Sequence, residues 1–157
     1  MKIEIWSVGK PHDEYVKAGI EDFTKRINKY FNCSWKIIPA PKNAATLTEI
    51  ALKKAEATLI LTSIAKDDYV VLLDERGKQP SSTELAAFLQ LKANDSIKKI
   101  IFVIGGAFGV DASVQQRANY MLSLSNLVFP HMLVRLIIAE QLYRACTILH
   151  NEKYHHA

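Results

Sequence analysis

The sequence predicts an α/β fold, a mainly parallel sheet with helices on both faces, from three observations. Short apolar runs of strand length alternate with longer stretches of helical periodicity in the order β-α-β-α-β-α-β-α-β-α, and such alternation favours parallel strands joined by crossover helices. Two of the runs, residues 70–73 (VVLL) and 100–104 (IIFVI), are apolar without a break, as strands covered on both faces must be. Hydrophobic residues make up 49% of the 157, enough to build a real core, and the length favours one domain spanning 1–157.

The elements follow in order. Residues 2–8 (KIEIWSV) alternate loosely and read as a first strand, broken by Gly9-Lys10-Pro11. From about Asp13, Val16, Ile20, Phe23, Ile27 and Tyr30 recur at spacings of four and three, one face of an amphipathic helix ending near Tyr30. Its other face carries Lys17, Lys25, Arg26 and Lys29 and reads as solvated surface. Residues 34–38 form a second strand, closed by Pro39-Ala40-Pro41. Thr46 and Glu49 have capping-box spacing and open a helix through about Ile64. The third strand, 70–73, leads into Asp74-Glu75-Arg76-Gly77. Ser81 and Glu84 make a second capping box, for a helix through about Leu91. The strand 100–104 stops at Gly105-Gly106-Ala107-Phe108-Gly109, where small residues let the backbone turn and let a ligand approach closely. Asp111 is a good N-cap for a short helix. A short strand at 120–124 ends in Ser125-Asn126, and Phe129-Pro130-His131 follows. The last helix runs from about Leu133 to Leu149 and is apolar almost all round, so it is expected to bury more than one side. One side would lie on the chain's own sheet and another on a second copy, with Ile138 and Leu142 as partner-facing positions in a two-fold dimer.

The stretch 100–131 is the candidate site. Two strand ends, each followed by a loop suited to a ligand, lie about twenty residues apart, and in open α/β sheets ligands sit outside the carboxyl ends of strands. Several chemistries are excluded. Ala107 stands where a dinucleotide fingerprint needs glycine, and there is no Gly-Lys-Ser/Thr for a P-loop. No G-x-S-x-G supports a serine hydrolase. His155 and His156 have no Cys/His cluster around them, so no metal site is expected. Cys33 and Cys146 form no CxxC pair, which fits a reducing cytoplasm. No signal peptide is apparent, and no apolar segment approaches the roughly 20 residues that span a bilayer. A net charge of +4 is compatible with a nucleic-acid partner and equally with an ordinary basic surface.

Several motifs, taken together and in order, carry a resemblance across the whole chain. They are Leu73-Asp74-Glu75-Arg76-Gly77, Ser81-Ser82, Val103-Ile104-Gly105-Gly106-Ala107-Phe108-Gly109, Leu122-Ser123-Leu124-Ser125, Phe129-Pro130-His131, Glu140-Gln141-Leu142-Tyr143-Arg144-Ala145 and Tyr154-His155. They resemble the bacterial large-subunit ribosomal RNA pseudouridine N3-methyltransferases of the SPOUT class. The resemblance implies a SPOUT-type fold with a C-terminal trefoil knot, an obligate homodimer and S-adenosylmethionine as methyl donor. The implied substrate is a pseudouridine in the helix 69 loop of 23S ribosomal RNA in assembled ribosomes. It places the cofactor pocket at Leu73, Gly105, Gly106 and the run Leu124, Ser125, Asn126, Leu127, Val128 and Phe129. It places catalysis at Tyr154 and His155. His131 is expected to orient its loop. Arg135 and Arg144 are expected either to pair internally, with Glu140 as one partner, or to meet RNA phosphate, with Lys153 as a further RNA contact. The tail departs from the family pattern: Lys153 stands where proline is usual, and His156-Ala157 where a basic residue follows the Tyr-His pair. The alternative is a non-catalytic RNA- or ribosome-binding module of the same fold.

Overall fold

The computed structural model describes residues 1–156, and Ala157 of the divergent tail lies outside them. Five strands, β1 (Lys2–Val8), β2 (Asn32–Ile38), β3 (Tyr69–Lys78), β4 (Lys99–Ile104) and β5 (Tyr120–Leu122), alternate with five helices. These are α1 (Glu14–Ile27), α2 (Glu49–Ser63), α3 (Ser82–Asn94), α4 (Ala112–Arg117) and α5 (His131–Leu149). The strands form one sheet in the order β2-β1-β4-β3-β5, and every pair is parallel.

Alternation along the strands divides the core. Ile3, Ile5, Val71, Ile100, Phe102 and Ile104 face α1, α3 and α5. Trp6, Val8, Val70, Leu72, Ile101 and Val103 face the layer of α2 and α4. Both faces are therefore covered, which is why 70–73 and 100–104 carry no polar side chain. Helix α5 lies between α1 and α3. Gly19 of α1 lies so close to it that a Cβ there would sit 2.8 Å from Leu136 Cδ1.

Two element ends differ from the sequence expectation for reasons visible in the hydrogen bonds. Helix α1 stops at Ile27 because the Asn28 amide turns the chain: Nδ2 donates to Thr24 O (2.9 Å) and Cys33 O (2.8 Å), and Oδ1 accepts from Cys33 N (3.0 Å). Tyr30 thus falls in the connection. Helix α2 is capped by Thr48, whose hydroxyl accepts from Ala51 N at 3.2 Å. Thr46 instead donates to Asn43 O (2.9 Å) in the single 3-10 turn Ala44–Thr46. The caps at Ser81 and Asp111 form as expected, accepting from Glu84 N (3.1 Å) and Ser113 N (3.0 Å).

Strand β3 runs past its apolar run, and this extension shapes the C-terminal part. Leu122 is in register with both Leu73 and Lys78, and Ser123 N donates to Lys78 O at 2.8 Å. The segment between them crosses the end of β5. At the crossing only glycine fits: a Cβ on Gly77 would lie 2.6 Å from the Met121 carbonyl. No helix among the described residues is long and apolar enough to cross a membrane.

Candidate cofactor cleft and tail cluster

The carboxyl ends of β3, β4 and β5 surround a cleft of about 600 Å³, within the range of small-molecule sites. Leu73, Gly105, Gly106, Leu124, Ser125, Leu127, Val128 and Phe129 all line it. Asn126, expected with them, is outside the wall: its Oδ1 accepts from Gln79 Nε2 at 2.8 Å. The loop after β5 holds itself in place. Ser125 Oγ accepts from Leu127 N (3.0 Å), and Ser123 Oγ donates to Ser125 O (3.0 Å). At the rim, Leu127 and Val128 are 71% and 81% exposed, uncovered apolar side chains beside a concave site. Backbone groups below and apolar groups above suit the adenine and ribose of a nucleoside cofactor.

On the β3 side, Asp74 accepts from Arg76 N (2.9 Å), Nε (2.9 Å) and Nη2 (2.8 Å), and these bonds hold its carboxyl below the usual range. The glycine loop after β4 is closed by Gly109 N donating to Gly106 O at 3.1 Å, with Gly109 at φ +83°.

The glycines serve reasons the sequence did not disclose. A Cβ on Gly105 would lie 2.6 Å from Val110 Cγ1 and 3.3 Å from the Gly109 carbonyl. A Cβ on Gly106 would lie 2.6 and 2.7 Å from the Glu56 carboxylate oxygens. Glu56 is a buried acid on α2, and burial pushes its pKa up. It stands behind the glycine loop, a place that a glutamate in a helical stretch gives no sign of. Close approach of other parts of the protein therefore fixes both glycines before any ligand is considered.

His131 starts α5 and lines the cleft with Gly105; burial, then the neighbouring Arg135, pushes its pKa down. It brings the first residue of α5 to the wall that the glycine loop also forms. Arg135 is 1% exposed and does not reach the surface of the chain, so a contact with RNA phosphate is not available to it. Nη1 meets His12 Nδ1 at 3.2 Å, Nε has no partner, and burial disfavours the charged form.

The tail forms a second cluster. Arg144 donates Nε (3.0 Å) and Nη2 (2.6 Å) to Glu140 Oε1. Its Nη1 meets His155 Nδ1 at 3.2 Å, and its guanidinium lies over the Tyr154 ring, 4.8 Å from the centroid. Tyr154 donates its hydroxyl to Glu140 Oε1 (3.0 Å), and its ring packs edge-on against Tyr143 at 4.7 Å. Internal pairing is thus the arrangement found for Arg144. A guanidinium only donates, so His155 Nδ1 accepts, and a neutral ring carries its proton on Nε2. Lys153 is exposed. Farther back, the Tyr30 hydroxyl donates to Glu152, which ties down the start of the tail.

Tail cluster and cleft do not meet within the chain. Glu140 comes nine positions after His131, about 13 Å along α5 and half a turn round it. None of Glu140, Arg144, Tyr154 and His155 lines the cleft. Among the described residues there is no group of three or more His, Cys, Asp or Glu side chains that could hold a metal ion.

A parallel sheet with a ligand cleft outside the carboxyl ends of its strands defines an α/β small-molecule-binding protein. Residues 1–155 match the family model described as predicted SPOUT methyltransferase, and the chain belongs to that family. It is 43% identical over 156 residues to the ribosomal RNA large subunit methyltransferase H of Cytophaga hutchinsonii, covering 99% of this chain and 100% of that one. The protein of the same name from Flavobacterium johnsoniae is 41% identical, with 99% of each covered. Among solved structures, a probable methyltransferase from Bordetella pertussis superposes with a TM-score of 0.53 at 10% identity, over 92% of this chain and 96% of that one. A probable methylase family protein from Haemophilus influenzae gives 0.52 at 17%, over 99% and 70%. These two share the fold. The fold is thus the SPOUT α/β fold, a parallel sheet with helices on both faces, consistent with the C-terminal knot that the resemblance implies. The chain is an S-adenosylmethionine-dependent methyltransferase, not a non-catalytic module.

Proposed function

We propose that this enzyme methylates N3 of a pseudouridine in the helix 69 loop of 23S ribosomal RNA, in assembled ribosomes, as a cytoplasmic homodimer. Full-length similarity to ribosomal RNA large-subunit methyltransferases supports the substrate. The observation that carries the dimer and its composite site is the separation of tail cluster from cleft on α5.

S-adenosylmethionine supplies an electrophilic methyl group. Leu73, Leu124 and Phe129 hold its adenosine part by apolar contact, and the 105–106 and 125–128 backbones read its polar edges. Leu127 and Val128 cover it from the rim and exclude water. Tyr154 and His155 hold the base: the tyrosine ring offers a face, and His155 Nε2–H a donor to a ring carbonyl. With Nδ1 tied to Arg144, His155 positions the base and does not take its proton on that atom; the N3 proton leaves to solvent water as N3 bonds the methyl carbon and the bond from that carbon to sulfur breaks.

The dimer face differs from the one expected. Ile138 and Leu142 are fully buried in the chain's own core, so they do not face a partner. Leu133, Leu136 and Ile137 are half-buried, belong to neither core cluster, and form a stripe that continues into Glu140 and Arg144. Tyr15, one turn before Gly19 on α1, is 66% exposed beside it. An antiparallel pairing of two α5 helices centred on Ile137 sets the partner's Glu140 opposite Val134 and the partner's Arg144 opposite Pro130, at the cleft. Placing glutamate at Ile137 is expected to give folded monomers without activity, because the buried unpaired charge costs several kcal/mol at the contact. Sedimentation at micromolar concentration checks it. A wild type that sediments as a monomer would remove the composite site.

The reading as a whole is tested by methyl transfer from labelled donor to ribosomes of a strain lacking the modification. Label is expected at N3 of one pseudouridine in the helix 69 loop. Labelling elsewhere, or none, would overturn the substrate.

A further inference from the structure

A second cavity of about 250 Å³ opens on the far side of β5, between α3 and the end of the sheet. It is smaller than the roughly 300–1,000 Å³ of drug-sized ligand sites. Its wall includes Glu84, Phe88 and Tyr120 among mainly apolar residues such as Val71, Leu85 and Leu122. Two aromatic rings line it, Phe88 and Tyr120, 4.9 Å apart between centroids, and Tyr69 packs against Phe88 at 6.0 Å. Two lysines stand over those rings. Lys92 Nζ is 4.6 Å from the Tyr69 centroid and 5.4 Å from that of Phe88, and Lys78 Nζ is 6.0 Å from that of Tyr120. Asp95 reaches Lys92 only at 3.9 Å. Leu91 is left 54% exposed at the mouth.

From this we propose that the cavity takes one unstacked nucleobase of the same RNA strand that carries the target, with Lys78 and Lys92 on its flanking phosphates. The inference rests on the ribosomal RNA reading. Aromatic faces beside cations are what single-stranded nucleic acid binds, since every base has a face to stack and every linkage a phosphate. An apolar peptide would use the rings but leave Lys78 without counter-charge and Lys92 with only Asp95, at 3.9 Å. Glu84, the acid in the wall, accepts from an amino or imino edge and so favours a base with a donor there. Position joins the cavity to the reaction. Leu122 lines both this cavity and the cofactor cleft, and Lys78 ends the segment that walls the cleft. A strand with its target base in the cleft passes Lys78 to reach the cavity.

The test is Phe88→Ala, with Phe88→Tyr to restore a stacking face and the pair Lys78→Gln with Lys92→Gln to remove the cations. In the full-length protein, Phe88→Ala is expected to raise KM for ribosomes about tenfold or more, the scale of one lost stacking contact. It should leave S-adenosylmethionine affinity and kcat near wild type, and Phe88→Tyr should recover KM. The double lysine variant should flatten the salt dependence of RNA binding. Unchanged KM in folded Phe88→Ala would overturn the proposal. So would conversion of that variant to a different oligomeric state, which would make the cavity a protein contact. Fluorescence titration with a single-stranded RNA carrying 2-aminopurine separates the two readings, because it needs no methyl transfer. Quenching by wild type and not by Phe88→Ala upholds the cavity even if ribosomes are not methylated, and quenching by neither overturns it.

Discussion

Removing everything after Glu152 is expected to lower methyl transfer by about 10²–10⁴-fold, the range contributed by groups that position or exchange protons at the reacting base. Fold, dimer and cofactor binding should survive. The cut spares the bond from Tyr30 to Glu152 and the whole of α5. Its structural cost is the Tyr154–Tyr143 pair, worth about 0.5–1.5 kcal/mol, together with the partly exposed contacts of Tyr154 and His155 to Glu140 and Arg144. Single variants then separate the roles. If His155 positions the base through Nε2–H, His155→Asn keeps a donor and should retain more activity than His155→Ala. If the ring were a base, both would fall equally. Arg144→Lys should resemble the loss of His155, because a lysine cannot supply both the fork to Glu140 and the donor to Nδ1. Mixing tail-less subunits with subunits disabled in the cleft should recover at most one working site per dimer. Full-rate methylation of ribosomes by the tail-less protein would leave the tail without a catalytic part.

The sequence showed the strands and helices well because their signals are local. Residues 70–73 and 100–104 could be nothing but covered strands, and Ser81 and Asp111 cap their helices as their spacing says. What stayed hidden depends on which side of a helix meets what. An apolar girdle around α5 says that several sides are buried but not that Ile138 and Leu142 face inward while Leu133 and Ile137 face out. The crossing of 73–78 over β5 joins residues some forty positions apart through Gly77 and has no periodic mark at all. The same holds for Glu56 behind Gly106, for Arg135 beside His12, and for Glu140 as the acceptor that gathers Arg144 and Tyr154. The stretch 100–131 stands out as a site from its glycine loop at a strand end, whereas Leu73 and Leu124 enter only through the motif resemblance, since alone they read as ordinary core.

Gly105→Val is expected to abolish S-adenosylmethionine binding, by at least about a hundredfold, in a protein that still folds. The cause is the loop and not only the ligand. A Cβ at residue 105 already lies 2.6 Å from Val110 Cγ1, and a β-branched side chain adds two methyls against the Gly109 backbone at 3.3 Å. Val110 is itself β-branched and 9% exposed, so it has little room to turn away. The 106–109 closure must open, which moves one wall of the cleft. Overpacking of this kind costs about 1–3 kcal/mol. The sheet below is held by fully buried Ile100, Ile101, Phe102 and Val103, so the loss should lower thermal stability without unfolding the chain. Gly106→Ala makes the contrast. Its Cβ meets the end of the Glu56 side chain, which can swing aside, so the loss of affinity should be smaller, and Glu56→Ala in the same protein should restore most of it. Calorimetric titration of each variant, with circular dichroism to confirm the fold, measures both effects. A folded Gly105→Val protein with wild-type affinity would place the cofactor somewhere other than this cleft.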